Sequence, residues 1–271
     1  MELVDAWERY ARERTPRRES NARGAATWLN WTQYPDHGPD ESILGPIRGR
    51  TVLELGSGSG CNLAHLATLG ADCVGVDIAP SQRERAVARW GHIPGLTFHT
   101  AETTDYLIRT DALFDTILSI FGPVWFTEPE QFLPLIRKRL SPGGVLAFSH
   151  KPPQDDRQTV TTLREARAVT RWDRSPEEWT SLLASSGFSQ PKADIIPPPE
   201  APRGHPSGHR ARGSGKGVAG RHQPAKIRPR TPDDGCVVHS PRSRTAPSGR
   251  TASVRWRRDS ARSCSPSAVQ T

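Results

Sequence analysis

Three glycines follow the first strongly apolar segment of the chain, and that segment contains a carboxylate. Residues 51–60 read Thr-Val-Leu-Glu-Leu-Gly-Ser-Gly-Ser-Gly, so Glu54 precedes glycines at positions 56, 58 and 60. Glycine adopts left-handed backbone angles and lets a ligand approach the main chain closely. Where such a loop opens a helix, the first N–H groups of the helix have no partner within it. The pattern therefore predicts a loop that binds a nucleotide-type ligand through free backbone N–H groups.

A strand and a helix must position this loop. Thr51–Leu55 is a short apolar run between two glycines, which predicts a buried strand. Residues 62–69 carry leucine and alanine on one side and end at Gly70, which predicts a helix. Dinucleotide-binding folds place a third glycine where this chain has Cys61. The spacing G-x-G-x-G therefore argues against a nicotinamide-binding oxidoreductase.

A second carboxylate follows one helix and one strand later. Residues 73–77 (Cys-Val-Gly-Val-Asp) predict a strand that ends at Asp77, 17 residues after Gly60. A carboxylate in this place can accept hydrogen bonds from both ribose hydroxyls of a nucleoside. The alternative is that Asp77 caps the next helix. That alternative is weakened because Ser81 and Glu84 have the spacing of a capping box for the same helix.

The glycine loop and Asp77 resemble motif I and the following acidic position of the class I S-adenosylmethionine (SAM) methyltransferases. Residues 114–121 resemble motif IV of that family, and residues 140–146 (Leu-Ser-Pro-Gly-Gly-Val-Leu) resemble its motif before the fifth strand. The resemblance covers residues 25–196. It implies an α/β fold with a doubly wound, mostly parallel sheet and helices on both faces. It also implies SAM as the cofactor and direct methyl transfer to a nucleophile.

The resemblance further implies a set of cofactor-binding residues. They are Glu54, Gly56, Ser57, Gly58, Gly60, Asp77, Ile78, Ala101, Glu102 and Ser119. In the family, the residue at Ile78 packs on the adenine ring, and the residue at Glu102 accepts a hydrogen bond from the adenine amino group. Glu102 and Asp105 would equally favour the start of a helix over residues 103–109 through its dipole, so both roles stay open.

An apolar wall is predicted where the methyl group would be transferred. Residues 114–121 are typical of a central parallel strand, and open α/β sheets bind ligands at the carboxyl ends of their strands. Phe121, Trp125 and Phe126 follow, and an aromatic face suits a cation. Ser119 is not followed by the Pro-Pro box of methyltransferases that act on base amino groups. It is also not a carboxylate, which metal-dependent enzymes of the catechol type place here as a metal ligand. We therefore predict a small, partly apolar acceptor of specialised metabolism, with no metal and no nucleic-acid base.

Two histidines are candidate catalytic bases, which are needed only if the acceptor carries a proton. His150 ends the fifth predicted strand on the ligand side. His37 lies in the aromatic segment 28–38, which either forms a lid over the site or covers one edge of the sheet. A histidine at a strand end can equally be a packing or solvated residue.

The excess positive charge of the chain lies in its last quarter. The 271 residues carry a net charge of +8. Residues 197–271 hold 15 Lys and Arg against 4 Asp and Glu, whereas residues 1–196 hold 22 Lys and Arg against 25 Asp and Glu. We divide the chain into an N-terminal helix and aromatic strap (1–50), a SAM-binding domain (51–196) and a basic Pro/Gly/Ser/Arg-rich tail (197–271). The tail has no Leu, Phe or Tyr, which predicts disorder. The family's seventh strand is therefore predicted to be missing.

The tail admits two interpretations. A translated frameshift in a GC-rich gene explains its Arg, Pro, Ser, Gly and Ala, and this is the interpretation we favour. The other is an electrostatic arm for RNA, DNA or an acidic partner. Under the second, the chain would be a SAM-binding but inactive, or RNA-interacting, module rather than an enzyme.

The remaining composition predicts a cytoplasmic protein. The four cysteines form no C-x-x-C pair and no metal-ligand spacing with histidine. The N-terminus lacks the pattern of a secretory signal, and no apolar run approaches the roughly 18 residues of a membrane span. We therefore expect no membrane partner, and nucleic acid only through the tail.

Overall fold

The computed structural model describes residues 2–152, 160–163, 167–200 and 251–257. The strands are β1 (Thr51–Leu55), β2 (Asp72–Asp77), β3 (Leu96–Thr100), β4 (Phe114–Ile120), β5 (Leu140–His150), β6 (Val160–Leu163), β7 (Arg167–Thr170), β8 (Ser189–Ile196) and β9 (Thr251–Arg257). The helices are α1 (Glu2–Glu13), α2 (Cys61–Thr68), α3 (Pro80–Trp90), α4 (Thr103–Arg109), α5 (Pro123–Phe126), α6 (Pro129–Arg139) and α7 (Pro176–Ser185), with a 3₁₀ turn at Glu41–Leu44.

The main sheet has the doubly wound order that the sequence predicts. Its strands follow the order β3-β2-β1-β4-β5-β9-β8, and β1 to β5 are parallel. The chain winds outward in one direction through β2 and β3, and in the other through β4 and β5. The direction reverses between β1 and β4, and ligands of open α/β sheets bind at the carboxyl ends of the strands at such a point.

The seventh strand is present, so the prediction that it is missing is wrong. β9 pairs antiparallel with both β5 and β8, for example Val254 with Phe148 and with Ala193. It begins at Thr251, far along the chain from the end of β8 at Ile196. A seven-residue run looks too short when considered alone, but pairing on both sides satisfies its backbone groups. The rest of the predicted disordered tail, residues 201–250 and 258–271, lies outside the described residues.

The sheet is buried on both faces. On one face, the aromatic strap contributes Leu29 and Trp31, which pack with Leu63 and Leu66 of α2. On the other face, α6 and α7 bury residues such as Phe132 and Trp179. Side chains alternate along a strand, so Glu54 shares the α2 face with Val52.

The N-terminal helix joins elements that follow two different strands. Glu8 Oε1 accepts the backbone N–H of Ser81 in α3 at 2.7 Å. The ring of Trp7 lies 4.8 Å from that of Phe126 in α5, centroid to centroid. Because α3 follows β2 and α5 follows β4, α1 connects these two elements at the carboxyl edge of the sheet.

The start of α7 is closed by a capping box of local residues. Ser175 accepts the N–H of Glu178, and the Glu178 side chain accepts the N–H of Ser175, which completes a capping box. The hairpin of β6 and β7 and the short helix α5 were not predicted. Both are too short for a clear periodic signal.

Candidate functional site

The backbone angles of the loop after β1 favour glycine at three positions, and close packing also requires glycine at two of them. Gly56, Gly58 and Gly60 have φ values of +73°, +53° and +74°. A Cβ added at Gly56 would lie 2.6 Å from Pro123 Cδ, and one at Gly60 would lie 2.4 Å from Phe98 Cζ. A Cβ at Gly58 would meet no described atom within 4 Å. Gly56 and Gly60 therefore face protein, whereas Gly58 faces open space.

Four N–H groups of the loop are engaged within the protein. Gly56 and Ser57 both donate to the carbonyl of Val76, and Gly60 donates to that of Ser57. Gly58 donates to Asp77 Oδ2 at 2.8 Å. Gly60 is the N-cap of α2 and has no side chain to cap it. The first turn of α2, where the sequence predicts free N–H groups, therefore offers amides to a ligand.

Asp77 holds the loop from the end of β2. Its Oδ2 accepts from Gly58 and its Oδ1 accepts the N–H of Ala79 at 2.9 Å. Burial raises the pKa of Asp77, and these two N–H groups oppose that rise. An ionised carboxylate has about four acceptor positions, so acceptor capacity remains for a ligand.

The predicted capping box at Ser81 and Glu84 is wrong. The N-cap of α3 is Ala79, which makes no side-chain cap. Ser81 lies inside the helix, and its N–H is taken by Glu8 of α1. The true cap comes from a residue distant in sequence, which no local pattern could reveal.

Glu54 is a carboxyl group buried beside the loop, with 1% of its surface exposed. Oε1 accepts from Asn62 Nδ2 at 2.9 Å, and Oε2 has no hydrogen-bond partner among the described residues. Burial raises the pKa of Glu54 to about 8, against the opposing effects of Asn62 and Arg17. A buried polar atom without a partner is costly, so Oε2 marks a place for a ligand donor.

The residues predicted to contact adenine lie around the ends of β2 and β3. Ile78 and Ala101 are partly buried, and the Ala101 N–H donates to the carbonyl of Asp77. Glu102 is the N-cap of α4 and accepts the N–H of Asp105 at 2.9 Å. The capping role of Glu102 is therefore present, and its predicted role toward adenine stays a prediction.

The turn after β4 packs against the glycine loop. Ser119 is buried, and its Oγ accepts the N–H of Val124 at 3.2 Å. Phe121 has a φ of +50°, a strained angle for a residue other than glycine. A Cβ at Gly122 would lie 2.5 Å from the Leu55 carbonyl oxygen. The two turns are thus in direct contact at the reversal of strand order.

An aromatic group adjoins this turn and includes residues that sequence reasoning missed. Trp125 lies 5.0 Å from Phe126 and 6.4 Å from Phe121, and its Nε1 donates to Asp173 at 2.6 Å. Trp7 of α1 extends the group through Phe126. The sequence predicted the wall at Phe121–Phe126, but the contribution of Trp7 depends on how α1 folds back.

His150 is buried at the end of β5 with both ring nitrogens engaged. Nε2 accepts the indole N–H of Trp179 at 2.6 Å, and Nδ1 lies 2.6 Å from the Lys151 carbonyl oxygen. An indole N–H can only donate, so the proton of neutral His150 is on Nδ1. Burial lowers the pKa of His150. To accept a proton, His150 would first have to lose its bond from Trp179.

His37 lies near the end of β8. Its Nε2 donates to the Pro197 carbonyl oxygen at 2.8 Å, and its ring contacts Tyr34 edge-on. Because Nε2 is the donor, Nδ1 is the accepting nitrogen of a neutral His37. The structure therefore brings Glu54, the glycines and Asp77 together. The ring of His150 stacks on that of Trp125 in the aromatic group, at 5.6 Å between centroids, whereas the described contacts of His37 are with Tyr34 and Pro197.

The spatial roles of the glycines predict different costs of substitution. Gly60→Ala is expected to lower the free energy of unfolding by about 3 kcal/mol, because its Cβ would overlap Phe98 at a positive φ. Gly58→Ala should cost about 1 kcal/mol, since only the backbone angle opposes it. Urea denaturation of both variants checks this order. Equal losses would contradict the packing role of Gly60.

The sheet order and the site define a doubly wound α/β domain that binds a nucleotide-type ligand where the strand order reverses. Residues 53–148 match the family model described as a methyltransferase domain. With its glycine loop and Asp77, this segment is a class I methyltransferase domain of the kind that uses SAM.

Curated relatives match through this same region. A ubiquinone biosynthesis O-methyltransferase of Roseobacter denitrificans is 30% identical over 141 residues, which are 51% of this chain and 56% of that protein. A demethylmenaquinone methyltransferase of Tropheryma whipplei is 32% identical over 111 residues, 40% of this chain and 46% of that protein. The chain thus spans about half the length of the curated relatives it matches.

A solved SAM-dependent methyltransferase from Mesorhizobium loti is 21% identical, with a TM-score of 0.46. The match covers 57% of this chain and 81% of that one.

The residues at the site fit SAM. The unpartnered Glu54 Oε2 suits an ammonium group, Asp77 retains acceptor positions for ribose, and the open side of Gly58 leaves room for a ligand. Among the residues that the structure describes, no three metal-ligating side chains come together. No helix in the described ranges has the length and apolar character needed to cross a membrane.

Proposed function

We propose that this chain transfers the methyl group of SAM to a small, partly apolar acceptor. When bound, SAM supplies an electrophilic methyl group on a positively charged sulfur. The observation that carries the proposal is the meeting of two turns, where the glycine loop with Glu54 and Asp77 touches the aromatic turn after β4. One turn offers polar groups for a nucleoside, and the other offers an apolar surface beside it.

The polar turn would hold the cofactor at two ends. Asp77 is proposed to accept hydrogen bonds from the ribose hydroxyls with the acceptor positions that Gly58 and Ala79 leave open. Glu54 is proposed to accept from the amino group through Oε2. Ile78, Ala101 and Glu102 are proposed to contact the adenine.

The apolar turn would position the acceptor and exclude water. Phe121 and Phe126 are partly buried, and Trp125 is fixed by its bond to Asp173. Electron-rich ring faces attract a cation without forming a competing nucleophile. Methyl transfer gains most of its rate from holding the two reactants close and in line, which a rigid wall favours.

For an acceptor that carries a proton, we propose His37 before His150 as the base. Both ring nitrogens of His150 are engaged within the protein, whereas Nδ1 of His37 is an accepting nitrogen. The name of the Roseobacter denitrificans relative supports an oxygen as the atom that receives the methyl group. The RNA-interacting alternative rests on the basic tail, most of which lies outside the described residues.

Turnover with the full chain tests the proposal. Incubation with SAM and a panel of phenols, carboxylic acids and amines is expected to release S-adenosylhomocysteine with at least one acceptor. Mass spectrometry should detect a gain of one methyl group on that acceptor. Binding of SAM without turnover, together with salt-sensitive RNA binding, would instead support the non-enzymatic module.

A further inference from the structure

Arg17 connects the N-terminal region to the glycine loop. Its Nη1 donates to Asn62 Oδ1 at 3.0 Å, and its Nη2 donates to the Trp28 carbonyl oxygen at 2.7 Å. The guanidinium carbon also lies 4.0 Å from the centroid of the Trp28 ring. These contacts, together with a hydrogen bond to the side chain of Cys61 at the start of α2, hold Arg17 between the strap and α2. Arg17 is partly buried, which makes these contacts stronger than those of a surface arginine.

Asn62 links Arg17 to Glu54 through hydrogen bonds. Its Oδ1 accepts from Arg17 and from the N–H of Asn30 at 3.3 Å, and its Nδ2 donates to Glu54 Oε1 at 2.9 Å. An amide has a carbonyl at one end and an amino group at the other. Two donors at Oδ1 therefore determine that the amino end faces the carboxylate, because the reversed amide would place oxygen against oxygen.

The chain of contacts leaves one carboxylate oxygen for a ligand. Oε1 of Glu54 is held by Asn62, whereas the buried Oε2 has no partner among the described residues. A carboxylate held at one oxygen cannot rotate freely about its terminal bond. The direction of Oε2 is therefore set by Asn62, and through Asn62 by Arg17.

We propose that Arg17 and Asn62 are positioning residues that hold the Glu54 carboxylate for the amino group of SAM. This inference rests on the proposed function. Arg17 acts through Asn62 and does not itself contact the cofactor. The strap that carries Trp28 and the N-terminal segment that carries Arg17 thus contribute to cofactor affinity from outside the matched domain.

Charge acts in the same direction as geometry. The Arg17 cation favours the ionised form of Glu54, whereas the Asp77 carboxylate opposes it. Burial raises the pKa of the Cys73 thiol, and the charges of Glu54 and Asp72 add to that rise. Arg17 is the cation in this set, so its removal should make the carboxylate harder to ionise.

The test compares two ligands on the full chain by calorimetry. SAM carries the amino acid chain, whereas 5′-methylthioadenosine has the adenosine part without the amino group. Arg17→Gln and Asn62→Ala are each expected to raise the Kd of SAM about tenfold, as expected for a weakened charge-assisted hydrogen bond. The Kd of 5′-methylthioadenosine should stay within about twofold.

Three controls separate positioning from folding. Arg18→Gln is the matched control, because the exposed Arg18 side chain pairs with Asp36 at 2.8 Å and not with Asn62. This variant should leave both affinities unchanged. Arg17→Lys keeps the charge and should lose less SAM affinity than Arg17→Gln. It also keeps the inference testable in the case that Arg17→Gln does not fold. In Arg17→Gln, the pH at which SAM affinity stops rising should also move upward.

The double variant tests whether Arg17 acts through Asn62. Its effect on the SAM Kd should be no larger than that of the stronger single variant. Additive effects, equal loss of both ligands or unchanged SAM affinity would each overturn the inference. If the unmodified chain bound neither ligand, the proposed function itself would fail, and the inference with it.

Discussion

Asp77→Ala is expected to raise the Kd of SAM about 100-fold, because the two charge-assisted hydrogen bonds proposed to the ribose would be lost. The same change also frees the N–H of Gly58, which Asp77 now holds at 2.8 Å. The loop would then lose its anchor at the end of β2 as well as its ligand contact. Calorimetric titration of SAM into the full chain measures this effect.

Asp72→Ala is the matched control for that variant. Asp72 begins the strand that Asp77 ends, so it lies at the opposite edge of the sheet, and it is exposed. Its removal should change the SAM Kd by less than about twofold. Circular dichroism of both variants shows whether the fold is kept. Unchanged affinity in a folded Asp77→Ala protein would remove Asp77 from the site.

The affinity for SAM is expected to rise about tenfold per pH unit between roughly pH 6 and 7.5. The pKa of Glu54 is raised to about 8, so the carboxyl is mostly protonated in the free protein over this range. An ammonium group binds the ionised form, so binding must release a proton. The range ends below the pH at which the α-amino group of the ligand loses its own charge.

The stability of the free protein changes with pH in the opposite direction to the SAM affinity. In the unfolded chain Glu54 has its ordinary pKa of 4.5, whereas in the folded chain its pKa is raised to about 8. Between these values the folded state binds more protons than the unfolded state, so stability falls as pH rises. Glu54 therefore stabilises the free protein most at low pH, and SAM binds best where that contribution is being lost.

Calorimetry in two buffers of different ionisation enthalpy measures the released proton. Near pH 7, the unmodified chain should release close to one proton on binding SAM, and Glu54→Gln should release much less. Asp77 also faces Glu54 and has a raised pKa, so the comparison with Glu54→Gln is needed to assign the proton. The same release from both proteins would show that Glu54 is not its source.

The sequence by itself determined the central unit of this protein. The apolar run Thr51–Leu55, the three glycines and Asp77 predicted a strand, a loop and a second strand, and the structure has β1, the loop and β2 at those residues. These features are local, because glycine angles and short-range periodicity depend on neighbouring residues. The doubly wound order is what the resemblance to the class I SAM methyltransferases implied.

Only the tertiary structure decided which atoms the site leaves open. The loop amides are used by Val76 and Ser57, α3 is contacted at its start by Glu8, and β9 comes from far along the chain. The pairing of Arg17 with Asn62 joins residues 45 positions apart. Such contacts depend on how elements distant in sequence pack against one another. No residue pattern within a single segment can specify them, because their partners are fixed only when the chain has folded.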